Sequence, residues 1–336
     1  MRQPPVIILL MRKKSSGYSI ERLFESLAPF LSRRFDVRIV QVPCDSRGIL
    51  RRIRNLIFTA RLRGDVIHVT GDIHYCTLAI RRRQCILTVH DLRSLTRLKG
   101  VRKFVFSVLW YSIPVRWTPR LTAISVETRK QLEHEFPAAA GKIELIPNCV
   151  DVAFVRNPPL RRSCSGIPQV LQVGTGPNKN LERVAVAASG LPVHLRIIGP
   201  ISYQQGALLR SLDLDWSSAE QLSAEDLMLE YRHSDVLVFA SIYEGFGLPI
   251  VEAQAMGIPV ITSKIAPMSD TAGDAALFVD PYDEGDIRAA LERLLCSPDL
   301  ACRLSDRGRS NAERFDARTV AGQYADLYTR TLSRLQ

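Results

Sequence analysis

The chain has 336 residues, which is enough for two domains of ordinary size, and its 46% apolar and 24% charged residues are typical of a folded globular protein. Residues 1–150 hold 27 Lys+Arg against 11 Asp+Glu, whereas residues 151–336 hold 18 against 23, so the positive charge belongs to the first half. A half this basic usually faces a phospholipid surface, a phosphorylated substrate or a nucleic acid; an Arg-rich surface exposed to water is the alternative.

The seven cysteines are odd in number and form no C-x-x-C pair, which argues against a disulfide framework and against a zinc site. No apolar stretch approaches the length of a membrane span. Val6–Met11 is too short for the core of a signal peptide and is interpreted as a first strand. The expected location is cytoplasmic, with peripheral attachment to the inner face of the cell membrane as an extension of that expectation.

Short β-branched runs alternate with amphipathic segments of helical length through the first half. This alternation predicts a parallel, doubly wound sheet, in which ligands bind beyond the carboxyl ends of the strands. The clearest helical segments are Ile20–Leu31 and Ile49–Arg63. The predicted strands are Val6–Arg12, Val37–Pro43, Asp65–Thr70, Cys85–Asp91, Leu121–Val126 and Ile143–Pro147.

Two candidate site residues follow strands in this half. Gly17 lies after the first strand, where a residue without a side chain lets the backbone pass close to a ligand; an ordinary strand-to-helix turn is the alternative. His90 lies at the carboxyl end of the fourth strand, a position that favours a functional role. His74 is a weaker candidate, and His68, in the middle of a strand, is interpreted as an ordinary strand residue.

The segment Val101–Trp117 is the most aromatic part of the chain and has basic residues at both ends. A basic amphipathic helix with Trp and Phe is typical of an element that lies in a membrane interface. A crossover helix buried against the sheet can have the same composition, so both interpretations stay open.

The second half restarts the alternation after a linker rich in Pro, Arg and Ser at about residues 150–167. A strand ends at Gly174, and Asn180 is predicted to cap the next helix. Lys179 lies near the N-terminus of that helix, where the helix dipole already favours an anion, so it is a candidate phosphate ligand.

Two further features belong to this half. A strand beginning near Val193 ends at Gly199. Leu212–Trp216 fits a short strand, and the Asp213-Leu-Asp215 pattern inside it is assigned a structural role rather than a metal site. Helices are predicted over residues 284–313 and over Arg318–Leu335.

The most informative stretch runs from a predicted strand, Asp235–Ala240, through a glycine-rich loop into a helix that begins near Pro249. This arrangement points backbone N–H groups and the positive end of a helix dipole at one place, which is an anion site. Glu244 and Glu252 flank that site. An anion site between two carboxylates suits a ligand that is part phosphate and part polyol, which is a nucleotide-sugar.

The motif Glu244-Gly-Phe-Gly-Leu-Pro-x-x-Glu252, followed by Ala-x-Ala-x-Gly-x-Pro-Val-Ile, resembles the signature of the family 4 retaining glycosyltransferases. The resemblance extends over nearly the whole chain and includes Val89-His-Asp-Leu92, Ile146-Pro-Asn-Cys-Val-Asp151 and Gly174-x-x-x-x-Lys-Asn180. Cys149 stands where the family has glycine. Thr175-Gly-Pro177 lacks an arginine that many relatives carry before the lysine.

The resemblance implies the GT-B fold, in which two Rossmann-like, doubly wound parallel-sheet domains face a cleft. It places an acceptor-side domain at residues 1–152 and a nucleotide-sugar-binding domain at residues 153–317. A C-terminal helix at about residues 318–336 is expected to pack back on the first domain.

The resemblance also implies the roles of the site residues. The catalytic set is Lys179 on the donor diphosphate, Glu244 on the donor sugar and His90 lining the sugar site. The implied donor-binding residues are Gly17, Gly174, Asn178, Gly199, Gly245, Phe246, Gly247, Leu248 and Glu252.

The activity implied is transfer of a sugar from a nucleotide-sugar, with UDP or GDP as the expected nucleotide, to a saccharide or lipid-linked acceptor in polysaccharide assembly. Retention of anomeric configuration is implied, without metal or other cofactor. The basic first half adds an anionic membrane surface as an expected partner, and no nucleic acid is expected. The alternatives are a sugar-nucleotide epimerase of the same fold and a non-catalytic protein that binds an anionic ligand or membrane surface.

Overall fold

The computed structural model describes residues 3–13, 19–96, 99–156 and 166–335. The chain divides into two compact units, which we call unit 1 (Met1–Cys149 with Ala317–Gln336) and unit 2 (Val150–Asp316). Each unit has its own six-stranded parallel sheet and its own hydrophobic core. The predicted α/β class with two Rossmann-like domains is therefore confirmed.

Unit 1 contains the strands β1 (Val6–Met11), β2 (Asp36–Gln41), β3 (Val66–Val69), β4 (Cys85–Val89), β5 (Arg120–Ala123) and β6 (Ile143–Leu145). They pair in parallel in the order β2-β1-β3-β4-β5-β6. Residues 7–11 of β1 are at most 3% exposed, so both faces of this strand are covered, as is usual in parallel sheets. The chain adds β2 to one side of β1 and β3 to the other, so the strand order reverses between β1 and β3.

The helices of unit 1 that precede the linker are α1 (Ser19–Leu31), α2 (Ile49–Ala60), α3 (Arg93–Thr96), α4 (Gly100–Ser107), α5 (Ile113–Trp117) and α6 (Val126–Glu135). α1 and α2 agree with the predicted helical segments to within three residues. In the part of the chain that the structure describes, no helix is both long enough and apolar enough to cross a membrane.

The aromatic segment is one continuous helical run, in which a π-helical turn (Val108–Ser112) joins α4 to α5. Trp110 and Tyr111 in this turn are buried, whereas Val101 and Phe104 in α4 are 78% and 69% exposed. The second half of the run therefore buries one set of side chains, as a crossover helix would, while Leu109, Ile113 and Trp117 remain 39–44% exposed, and the first half is exposed.

Unit 2 contains the strands β7 (Gln169–Val173), β8 (His194–Ile198), β9 (Asp215–Ala219), β10 (Val236–Phe239), β11 (Val260–Ser263) and β12 (Leu277–Val279). They pair in parallel in the order β12-β11-β10-β7-β8-β9, so the order reverses between β7 and β10. The predicted strand Leu212–Trp216 is wrong, because it begins and ends three residues before β9. The carbonyl of Asp213 accepts a hydrogen bond from the Gly190 N–H. Pairing with β8 begins only two residues later, where Asp215 lies opposite His194.

The helices of unit 2 are α7 (Val152–Arg156), α8 (Leu181–Ala188), α9 (Tyr203–Ser211), α10 (Ala224–Arg232), α11 (Leu248–Met256), α12 (Met268–Ala272), α13 (Glu284–Leu295) and α14 (Pro298–Ala312). The last two confirm the helices predicted over residues 284–313. α11, which follows the glycine-rich loop, packs against α14 and α7.

The C-terminal helix α15 (Ala317–Leu332) belongs to unit 1, where it packs on α1 and reaches β3. Fully buried His68 joins it to the sheet. His68 Nδ1 lies 2.8 Å from the Tyr328 hydroxyl, and Nε2 lies 2.7 Å from the Thr88 hydroxyl. Burial lowers the pKa of His68 to about 3, so the imidazole is neutral at physiological pH.

Tyr328→Phe should lower the free energy of unfolding by ~1–3 kcal/mol, because it leaves His68 Nδ1 buried without its partner. Urea denaturation followed by circular dichroism measures the change. Tyr203→Phe is the matched control, since this ring is 87% exposed on α9 and its loss should cost less than ~0.5 kcal/mol. Equal costs for the two variants would contradict a stabilising role for the His68–Tyr328 bond.

Candidate functional site in unit 2

The candidate site lies where the strand order of unit 2 reverses. β7 and β10 are neighbours in the sheet, and the chain leaves their carboxyl ends in opposite directions. In open parallel sheets this point is where ligands bind. The segment after β7 supplies Asn178 and Lys179, and the segment after β10 supplies Glu244 and the glycine-rich loop.

Lys179 and Glu244 form an ion pair at this point, with 2.7 Å between Nζ and Oε1. Asn178 donates from Nδ2 to the same carboxylate oxygen at 3.1 Å, and Lys179 Nζ lies 4.5 Å from the ring centre of Phe239. The two charged side chains are only 21% and 14% exposed. The pair therefore presents a positive charge and a hydrogen-bonding carboxylate in a partly dehydrated place, where both act more strongly than in water.

Gly174 makes room for Lys179. Its φ of +91° lies in the left-handed region, and a Cβ atom there would lie 2.9 Å from both Cγ and Cε of Lys179. The carbonyl of Lys179 accepts a hydrogen bond from Gln172 Nε2 at 3.0 Å. The lysine is thus held on both its backbone and its side chain.

Asn180 does not cap α8, contrary to the prediction. It adopts a left-handed conformation, with φ of 60°, and its side-chain oxygen accepts no capping hydrogen bond from a backbone N–H of the first turn but one from Arg183 Nη1 at 2.9 Å. Nδ2 donates instead to the carbonyls of Ala240 and Pro281, at 3.0 and 2.6 Å. The buried amide therefore fastens the lysine loop to the end of β10, which fixes the spacing of Lys179 and Glu244.

The glycine-rich loop is held rigidly before α11. The Phe246 ring is buried edge-on against Phe315, with 5.4 Å between ring centres, and its carbonyl accepts a hydrogen bond from the Thr271 hydroxyl. Gly247 has φ of +96°, a conformation that favours glycine, and Leu248 is the first residue of α11. The positive end of the α11 dipole therefore follows Glu244 and Gly245 directly in the chain.

Glu252 lies one turn into α11 and accepts a hydrogen bond from the Tyr231 hydroxyl at 2.6 Å. Burial, followed by the nearby Glu252 carboxylate, raises the pKa of Tyr231 well above 10, so the phenol stays protonated and donates. The sequence analysis gave Tyr231 no role. Its position five residues before β10 was the available signal.

Gly199 ends β8 with φ of +137°, and a Cβ atom there would lie 3.2 Å from the Thr175 side chain. The Thr175 hydroxyl donates to the Pro200 carbonyl at 2.6 Å. Thr175–Pro177, the segment in which many relatives carry an arginine, is thus held at the end of β8 by the neutral Thr175 side chain. Gly199 contributes to the candidate site through this close approach.

The other candidates belong to unit 1. In unit 1, His90 is 7% exposed, and Nε2–H donates to the Thr70 carbonyl at 2.8 Å; burial lowers the pKa of His90. His74 donates from Nδ1 to the Trp110 carbonyl and packs edge-on against Tyr111, which is a structural role. Gly17 lies outside the described residues.

In the Asp213-Leu-Asp215 pattern, the second carboxylate contacts a neighbouring strand. The Asp215 carboxylate lies 2.9 Å from His194 Nδ1, across the β8–β9 pair. Among the residues that the structure describes, no three His, Cys, Asp or Glu side chains are grouped to hold a metal ion.

Comparison with known proteins defines the class and then the family. Residues 20–154 match the family model described as Glycosyltransferase Family 4, and residues 166–311 match the one described as Glycosyl transferases group 1. The structure superimposes with a TM-score of 0.79 on a sucrose-phosphate synthase from Thermosynechococcus elongatus, at 19% identity, covering 99% of this chain and 100% of the other. The fold is the two-domain, Rossmann-like GT-B fold. The chain belongs to the family 4 glycosyltransferases.

Two characterised relatives are similar over part of their length. The chain is 29% identical to an MMP α-(1→4)-mannosyltransferase from Mycolicibacterium hassiacum, over 66% of this chain and 56% of the relative. It is 30% identical to O-antigen chain mannosyltransferase B from Escherichia coli, over 47% of this chain and 45% of the relative. The matched region thus spans about half the length of these two relatives.

Gly174→Ala should destabilise unit 2 by ~1–3 kcal/mol more than Gly190→Ala does, because its new Cβ overlaps Lys179. Gly190 is the matched control, since it has a similar φ of +71° with no atom within 4 Å of a Cβ. Both variants pay for the left-handed backbone, and only the first displaces the lysine. Chemical denaturation measures both costs, and equal costs would show that Gly174 is required for its backbone alone.

Proposed function

We propose that the protein transfers a glycosyl group from a nucleotide-sugar to an acceptor hydroxyl, with retention of anomeric configuration and without a metal ion. The observation that carries the proposal is the Lys179–Glu244 pair at the reversal point of the unit 2 sheet, directly before the N-terminus of α11. A diphosphate needs cationic and N–H donors, and a sugar needs hydrogen-bonding carboxylates. This arrangement offers both in one place.

In the proposed reaction, the bond between the anomeric carbon and the diphosphate oxygen breaks as the acceptor oxygen bonds to the same face of that carbon. The acceptor proton moves to an oxygen of the departing diphosphate. Lys179 and the N-terminus of α11 stabilise the negative charge that develops on this leaving group, which is the part of the barrier that fixed charges lower most.

Glu244 and Glu252 have different roles in this proposal. Asn178 orients the Glu244 carboxylate, which holds hydroxyls of the donor sugar once the diphosphate has engaged Lys179. Tyr231 orients Glu252, which binds the ribose hydroxyls. His90 of unit 1 stays a predicted contact of the donor sugar.

The proposed acceptor is a lipid-linked or polysaccharide precursor at an anionic membrane surface. The support comes from α4, where Val101, Phe104 and Val105 are 78%, 69% and 46% exposed. Arg102 and Lys103 lie between them and are also exposed. Apolar side chains alternating with cations match a surface of anionic phospholipid, which accepts both. The similarity to an O-antigen chain mannosyltransferase supports a polysaccharide precursor as the acceptor.

Lys179→Ala should lower kcat/KM for sugar transfer by about 10²–10³-fold, because the leaving diphosphate loses its cation. Glu244→Ala and Glu252→Ala should also reduce transfer strongly. The donor for this assay is chosen by a thermal-shift screen of the wild type against UDP-, GDP- and ADP-sugars, since a ligand that binds the folded state raises the Tm.

The control is Lys264→Ala, which removes a lysine from an exposed pair with Asp280 in the same unit. It should leave transfer and Tm close to the wild type. Equal losses of stability and activity in the site variants would overturn the site assignment. An epimerised nucleotide-sugar formed without acceptor would identify an epimerase, and the absence of any turnover would identify a binding protein.

Phe104→Asp should weaken binding to vesicles that contain phosphatidylglycerol by about tenfold, because it replaces an inserted ring with a like charge. Co-sedimentation measures the partition. Tyr203→Asp is the control, since this residue is also largely exposed, at 87%, but lies on α9 of unit 2. Unchanged partition of Phe104→Asp would exclude α4 as the membrane-binding element.

A further inference from the structure

A cavity of about 450 Å³ lies in unit 1 at the carboxyl ends of β1, β2 and β3. The strand order of unit 1 reverses between β1 and β3, so the cavity occupies the position where an open parallel sheet binds ligands. The charged side chains that line it are two acidic ones, Asp45 and Asp72, and four cationic ones, Arg12, Lys13, Arg47 and Arg52.

Both acidic side chains already face arginines. Asp45 binds Arg51, which does not line the cavity, with 2.6 and 2.8 Å from Nη1 to its two oxygens. Asp72 lies 3.6 Å from Arg12, whose Nε also donates to the buried Glu21 carboxylate at 2.7 Å. Among the described residues, the side-chain nitrogens of the remaining three cations, Lys13, Arg47 and Arg52, form no ion pair with a carboxylate, although the Arg47 backbone N–H donates to Asp45 at 3.4 Å. The cavity therefore has an excess of positive charge.

Arg52 is held in place by contacts that leave its terminal nitrogens available. Nε donates to the Ser46 carbonyl at 2.9 Å, and the guanidinium carbon lies 4.6 Å from the ring centre of Trp110. Trp110 is itself fixed, because its indole N–H donates to the Asp72 carbonyl and its ring stacks on Phe106 at 4.9 Å. No hydrogen bond of the two Nη groups is found within the described part of the chain. A guanidinium held this way loses little entropy when it binds an anion.

We propose that this cavity binds the phosphate group of a phosphorylated acceptor, with Arg52 as its principal ligand. Several cations around one small space suit a doubly charged phosphate better than a single carboxylate. Ile49 and Leu50, three and two residues before Arg52 at the start of α2, are 73% and 83% exposed, and they fit the apolar part of a lipid phosphate. That the bound phosphate belongs to an acceptor rests on the proposed transferase function. That the cavity binds phosphate does not depend on it.

The test is calorimetric titration of the full chain with inorganic phosphate. It is carried out in the Lys179→Ala background, so that the candidate donor site in unit 2 does not contribute. Arg52→Gln should weaken binding about tenfold, because a charge-assisted hydrogen bond is lost. Arg54→Gln is the matched control on the same helix, since Arg54 is exposed and does not line the cavity, and it should change the affinity by less than about twofold.

Two further probes separate the sources of the phosphate. Glycerol 3-phosphate tests a soluble acceptor, and phosphatidylcholine vesicles with and without phosphatidic acid test a lipid headgroup. An effect of Arg52→Gln on either probe, beyond that of Arg54→Gln, supports the proposal and identifies the source. Absence of phosphate binding, or equal effects of the two variants on every probe, would overturn it.

The outcome is independent of the transferase assay. A chain that binds no nucleotide-sugar but loses phosphate affinity in Arg52→Gln would refute the proposed function and keep the phosphate site. Normal donor binding together with no effect of Arg52→Gln would refute the phosphate site and keep the proposed function.

Discussion

The Lys179–Glu244 ion pair is the interaction on which the candidate site depends. Two charges with little exposure to water are tolerated only when each has a partner, and here each is the partner of the other. Gly174 removes the side chain that would push the lysine away, and Asn180 fixes the two loops at the correct spacing. A diphosphate that binds the Lys179 ammonium would replace the Glu244 carboxylate as its anionic partner. The lysine charge would stay paired, and the Glu244 carboxylate would become available to a sugar.

The two units place cations at the same point of their topology by different means. Unit 2 uses one lysine, a helix N-terminus and glycines, which together leave room for a backbone to approach a ligand closely. Unit 1 uses arginines that project from two loops and a helix, with an aromatic ring beneath Arg52. The first arrangement suits a diphosphate that departs during a reaction. The second suits a phosphate that is held.

Sequence patterns predicted the parts of the structure that depend on local chemistry. Alternating strand and helix periods predicted both parallel sheets, and the glycine-rich loop before Pro249 predicted the connection between β10 and α11, because these signals lie within a few residues of one another. The strand order, which reverses between β7 and β10, was not predicted. Contacts between distant residues were not predictable, as His68 and Tyr328 are 260 positions apart. Asn180 was predicted as a cap because asparagine commonly caps helices, but its amide nitrogen donates to the carbonyls of Ala240 and Pro281 and its amide oxygen accepts from the Arg183 side chain.

The composition of the aromatic segment fits a membrane-interface helix and a buried crossover helix equally. In the structure, the π-helical turn at Val108–Ser112 joins an exposed part of the run to a part with buried residues, and membrane contact by the exposed part stays a prediction. An extra residue in that turn changes which side chains face the core, so Trp110 and Tyr111 are buried while Phe104 is exposed. Trp110 then supports Arg52 in the cavity. Because this helical run both supports Arg52 of α2 through Trp110 and presents apolar residues on α4, a lipid phosphate held by Arg52 and a membrane contacted by α4 would both involve the same run.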